Sequence, residues 1–130
     1  PELQYIGQYG IQESILRKKE TFALVELKKM RQQPLICYRI LGPTTFLEEG
    51  LSIVLHHHER YDGNGYPFGL KGEEIPLFAR IMNVVDSYDA MISWRPYKKP
   101  LTKQEAIAEL KNCSGSQFDP IIVKAFLKTL

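Results

Sequence analysis

The stretch Thr45-Phe46-Leu47-Glu48-Glu49-Gly50-Leu51-Ser52-Ile53-Val54-Leu55-His56-His57-His58 decides the fold class of this chain. Thr45-x-x-Glu48 reads as a capping box, in which the threonine hydroxyl and the glutamate carboxylate satisfy backbone donors left unpaired at a helix start. Leu47, Leu51, Val54, Leu55 and His58 then recur at helical spacing along one face. The helix is therefore expected to end in three histidines. His58 continues the core-facing stripe, His57 lies beside it above Ile53, and His56 points elsewhere. Asp62 to Gly72 follows as a turn-rich loop, with glycines at 63, 65, 69 and 72.

The flanking segments repeat the helical pattern. Between Thr21 and Met30, the residues Phe22, Leu24, Val25, Leu27 and Met30 make an apolar face among lysines. Pro34 suits a first helical turn, where its missing N–H costs nothing, and Gly42-Pro43 closes the piece that runs to Leu41. Pro76 opens the next helix, whose Leu77, Phe78, Ile81, Met82, Val84, Val85, Tyr88 and Met91 leave it apolar around most of its girth, so it is expected to be buried. Asp86 and Asp89 interrupt that surface, and Pro96 and Pro100 end it. Thr102-x-x-Glu105 is a second capping box for a helix through Leu110. Asp119-Pro120 is an N-cap and first-turn proline for a last helix carrying Ile121, Ile122, Val123, Phe126 and Leu130. No alternating strand pattern competes, and the fold class is all-α.

Composition limits the function classes. The 130 residues fit one domain able to bury a core, read as 1–130. A net charge of +2 argues neither for nucleic acid nor for an anionic membrane. No apolar run approaches the ~20 residues of a membrane span. Cys37 and Cys113 stand far apart, without metal-type spacing, which points to a reducing, cytoplasmic setting. The chain opens at Pro1 without a methionine, as expected for the C-terminal portion of a longer chain preceded by further helices or a sensor or receiver domain.

Three groups of residues carry chemistry. His57-His58 at a core-facing helix end read either as metal ligands or as a hydrogen-bonded pair complementing the helix C-terminus. Asp86 in a largely apolar helix is costly unless paired or metal-bound; its partners would be Arg80, Arg95, Lys98 or a shared metal. Arg95 and Lys98, just past a helix end, suit a phosphate or form a solvated basic turn. Tyr66 after two glycines stacks on a base or packs on the core.

The residues His57-His58-Glu59-Arg60-Tyr61-Asp62-Gly63-Asn64-Gly65-Tyr66-Pro67, Gly69-Leu70-Lys71-Gly72-Glu73-Glu74-Ile75-Pro76, Ala79-Arg80-Ile81, Val85-Asp86-Ser87-Tyr88-Asp89-Ala90-Met91, Arg95-Pro96-Tyr97 and Gln117-Phe118-Asp119-Pro120 closely resemble the HD-GYP domain, a bacterial branch of the HD hydrolase superfamily. The resemblance spans essentially the whole chain. It implies an all-α HD-domain bundle that hydrolyses the phosphodiester bonds of cyclic di-GMP at two or three iron or manganese ions. It places metal ligands at His57, His58 and Asp86, and ligand-pocket residues at Tyr66, Arg95 and Lys98.

Other positions depart from the family pattern. The HD dyad falls on Gln4 and Tyr5, the supporting lysine on Gln8, and a further ligand histidine on Gln33; Trp94 replaces an acidic residue. Neutral amides are poor ligands for ions that must acidify a bridging water and clamp phosphoryl oxygens. The sequence therefore reads as a degenerate HD-GYP signalling domain, catalytically impaired, holding one iron or manganese ion at most. Its expected partners are cyclic di-GMP or a related nucleotide and signalling proteins such as diguanylate cyclase domains. The alternatives are a surviving phosphodiesterase with a reduced metal site, or a structural remnant in which His57, His58 and Asp86 are linked by hydrogen bonds.

Overall fold

The structure, a computed structural model, describes residues 24–41, 48–96 and 98–130. Among the described residues the elements are α1 (Leu24–Met30), α2 (Gln33–Leu41), α3 (Glu48–His56), one 3-10 turn (Gly72–Glu74), α4 (Leu77–Ile92), α5 (Lys103–Asn112) and α6 (Pro120–Leu127). The all-α class holds. The capping box at Thr45, the dyad positions Gln4 and Tyr5, and Gln8 lie outside the described residues.

α4 is the axis, with α3, α5 and α6 packed against it and α2 packed against α3. The main core joins Val84 and Met91 of α4 to Ala106 and Leu110 of α5, Val123 of α6 and Phe118 in the preceding turn. Cys37 and Leu41 of α2 and Leu51 and Val54 of α3 are likewise buried.

Helix boundaries follow local chemistry. Glu105 N–H donates to Thr102 Oγ1 (3.3 Å) and Thr102 N–H donates back to Glu105 Oε2 (2.8 Å), so the second capping box forms as read. Asp119 accepts from Ile121 N–H at 2.8 Å ahead of Pro120. The last helix stops at Leu127 instead of running on to Leu130.

Two sequence expectations change. α3 ends at His56: His57 N–H still donates to Ile53 C=O (2.9 Å), but the next turn does not close, and His58 already belongs to the loop. α4 is buried on one side only. Ala79, Val84 and Met91 are enclosed, whereas Phe78 is 60% and Val85 40% exposed. A helix packed by neighbours on one flank leaves its opposite flank open, however apolar its composition.

Candidate functional site

The site begins where α3 stops. Its loop is built around Glu59, which is 1% exposed. Its carboxylate accepts Phe68 N–H (2.7 Å) and Leu70 N–H (3.1 Å), and its own carbonyl accepts from Asn83 Nδ2 of α4 (2.7 Å). One buried acid thus ties both ends of the glycine loop to α4. At Gly65 a Cβ would stand 2.2 Å from Arg60 N, so only glycine lets the loop fold back on itself. Gly63, with φ of 85°, takes the left-handed turn.

Arg60 and Asp62 form a two-pronged ion pair, Nη2 to Oδ2 at 2.8 Å and Nε to Oδ1 at 3.2 Å, and Asp62 Oδ1 also accepts Asn64 N–H at 2.9 Å. The Arg60 hydrogen bond holds the Asp62 carboxyl at about 2, below the ordinary carboxylate range. Asp62 N–H donates to Ser116 C=O (2.8 Å), and Arg60 Nη1 donates to Gln117 Oε1 (3.4 Å). These bonds sew the loop to the turn before α6, 57 residues away in sequence.

Between the loop, α4 and that turn lies a cavity of about 300 Å³. His57, His58, Tyr66 and Asp86 all line it, with Arg60 and Gln117. His58 stacks on Tyr66, ring centroids 4.9 Å apart, and the Arg31 guanidinium lies 5.8 Å from the other partner's ring centre, at Tyr66. His57 Nδ1 lies 2.8 Å from Val54 O. A carbonyl only accepts, so Nδ1 carries the proton and Nε2 keeps its lone pair. Burial pushes both imidazoles below their ordinary range, His58 to about 4. Both are therefore neutral near pH 7. His56 turns away, packing on Phe68 at 5.5 Å.

Among the described residues the donors do not gather into a metal centre. His57, His58 and Asp86 share the cavity, yet among the described residues no three His, Cys, Asp or Glu side chains group to hold one ion. The two imidazoles pack against each other, centroids 3.9 Å apart and tilted by 39°, instead of fanning around a common point. Gln33 is buried in α2 and its Nε2 donates to Cys37 Sγ at 3.5 Å.

Of the three cations expected near Asp86, Arg80 is engaged elsewhere. Arg80 pairs with Asp119 at 2.5 Å and donates to Ile75 C=O at 2.9 Å. Lys98 lines a second cavity of about 450 Å³, which shares Ser87, Ala90 and Gln117 with the first. Arg95 sits on the same exposed turn, accepting Lys98 N–H at its carbonyl (3.2 Å), and lines neither cavity.

Sequence reading missed Glu59, Asn83 and Gln117. Asn83 had a signal: with Asp86, Ser87 and Ala90 it forms a small, polar stripe at helical spacing on α4. Gln117 carried none of its own, because its role depends on a contact across the fold.

Comparison with known proteins places this geometry. A family model described as "HD domain" matches residues 3–122. A Thermotoga maritima protein named cyclic di-GMP phosphodiesterase is 45% identical over 128 residues, covering 97% of this chain and 35% of that protein. The cyclic di-GMP phosphodiesterase response regulator RpfG of Xanthomonas campestris pv. campestris is 44% identical, covering 97% of this chain and 34% of its own length. A solved Vibrio cholerae cyclic GMP-AMP specific phosphodiesterase matches with a TM-score of 0.67 and 22% identity, over 98% of this chain and 31% of that one; at this identity the likeness speaks for fold. The chain spans about a third of the length of the curated relatives it matches. Among the described residues no helix is long and apolar enough to cross a membrane. With the HD domain model matching nearly end to end and relatives named cyclic di-GMP phosphodiesterases at 44–45% identity, this chain belongs to the HD domain family, in its HD-GYP branch.

Proposed function

We propose that this chain is a degenerate HD-GYP signalling domain that binds cyclic di-GMP or a related cyclic dinucleotide without efficient hydrolysis. It would serve within a longer protein as a regulatory module that engages other signalling proteins, such as diguanylate cyclase domains. The observation that carries the reading is a cavity gathering His57, His58, Tyr66 and Asp86 in a chain whose dyad positions are Gln4 and Tyr5. Relatives named for cyclic di-GMP supply the ligand class.

The residues present supply binding chemistry. The Tyr66–His58 stack offers an aromatic platform. The basic turn of Arg95 and Lys98 offers charge to phosphates at the rim. Gln4, Gln8 and Gln33 supply neither the anionic ligands nor the cation that would activate water. Titration calorimetry with cyclic di-GMP is expected to show saturable binding, and a hydrolysis assay with manganese or iron no turnover. Absence of binding of both the cyclic dinucleotide and its linear product at high micromolar concentration would remove this reading.

One observation favours a second reading, a phosphodiesterase with a reduced metal site. The Val54 carbonyl fixes the His57 tautomer with Nε2 as the acceptor, the form in which imidazole ligates metal. Metal analysis of the purified protein separates the two. Bound metal together with turnover lost in His58→Ala would establish the enzyme.

A further inference from the structure

The second cavity has a chemistry of its own. It lies beside the histidine cavity, and Ser87, Ala90 and Gln117 belong to the walls of both. Met91, Leu101 and Phe118 give it apolar walls, with Met91 and Phe118 buried in the core behind them. Its charged groups are Glu109 on α5 and Lys98 on the turn after α4, and Ser87, Gln117 and Cys113 add neutral polar atoms. Cys113 Sγ donates to Glu109 Oε1 at 3.4 Å, across one helical turn. Apolar side chains beside an acceptor-only group and a cation suit a nucleobase better than a phosphate, because a carboxylate repels phosphate.

We infer that this second cavity is a base pocket in which Glu109 reads the guanine edge of a bound nucleotide. The assignment rests on the cyclic-dinucleotide reading given above and extends it to which base is preferred. Guanine offers two adjacent donors, N1–H and the N2 amino group, to which an ionised carboxylate presents two acceptor oxygens. Each oxygen can accept more than one hydrogen bond, so the Cys113 contact does not block the site. Adenine presents an acceptor at N1, which faces the carboxylate with lone pair against lone pair. Lys98, on the same cavity wall, would meet guanine O6 or the adjoining phosphate. The base would occupy this chamber while the sugar and phosphate pass Ser87 and Gln117 toward His57 and His58.

The test is calorimetry on the purified chain with cyclic di-GMP and cyclic di-AMP as probes. Wild type is expected to bind the guanine ligand at least about tenfold tighter, since a site built to pair donors rejects a base lacking them. Glu109→Ala should lose about tenfold in affinity for cyclic di-GMP and little for cyclic di-AMP. Glu109→Gln can donate as well as accept, so it should move the preference toward adenine. Glu109 is exposed, and unchanged thermal unfolding of both variants confirms that the fold is kept. Wild-type binding of cyclic di-GMP with an unchanged guanine preference in both variants overturns the base pocket while leaving the dinucleotide reading in place. No binding of either probe by wild type overturns that reading, and the base pocket with it.

Discussion

Glu59 shows how much one side chain organises. Its two carboxylate oxygens satisfy Phe68 N–H and Leu70 N–H at partly buried positions inside the loop. Glu59→Ala leaves both donors unpaired and is expected to cost roughly 2–4 kcal/mol in urea denaturation. Glu59→Gln, keeping one acceptor oxygen, should cost about half of that. Unchanged stability in the alanine variant would mean that the loop finds other acceptors. Asp62 acts through charge instead. Arg60 holds its carboxyl at about 2, below the ordinary value of 3.8, so its stabilising contribution is complete above pH ~4 and is lost as pH falls toward 2. The pair is partly open to solvent, and its worth is only about 0.5–1 kcal/mol. Asp62→Asn should therefore flatten the stability profile between pH 4 and 2 while changing neutral-pH stability by about that amount.

Among the elements, the two caps legible in sequence that lie within the described residues differ in weight. Thr102 and Glu105 are exposed, and Thr102→Ala should cost about 1 kcal/mol by chemical denaturation. Asp119 is buried and does three things at once. It caps α6, pairs with Arg80 of α4, and anchors the turn that carries Gln117. Asp119→Ala is expected to cost about 3–5 kcal/mol, because it strands a partly buried guanidinium as well as removing a cap. The difference between the variants measures what the fold adds to a local signal. The α4 surface makes the same point in reverse. Its composition is apolar on nearly every face, yet only neighbours in space determine which face is covered.

At the scale of the molecule, two of the cavities among the described residues adjoin along α4, one with neutral histidines and a tyrosine and one with Lys98 and Glu109. A ligand that binds only the folded chain stabilises it by mass action. Cyclic di-GMP at about a hundredfold excess over its Kd should add ~2.7 kcal/mol, raising the melting temperature by several degrees. Tyr66→Ala, which removes the stacking platform, should abolish the shift at the same ligand concentration. A shift that persists in this variant would move the binding site away from the first cavity.

The helices were legible from the chain alone, because capping boxes, first-turn prolines and 3.6-residue periodicity act within a few neighbouring residues. So was the family, whose loop from His57 to Pro67 is a local string. The departures expected at Gln4, Tyr5 and Gln33 rest on the sequence alone, since neutral amides and an un-ionised phenol are poor ligands wherever they fold. Tertiary structure alone decided what surrounds the loop and the polar stripe of α4. It paired Arg80 with Asp119 instead of Asp86, stacked His58 on Tyr66, and brought Gln117 to Arg60. It also put Lys98 at a cavity and left Arg95 outside both. These are contacts between segments far apart in sequence. Their partners are selected by packing geometry, which no local pattern encodes.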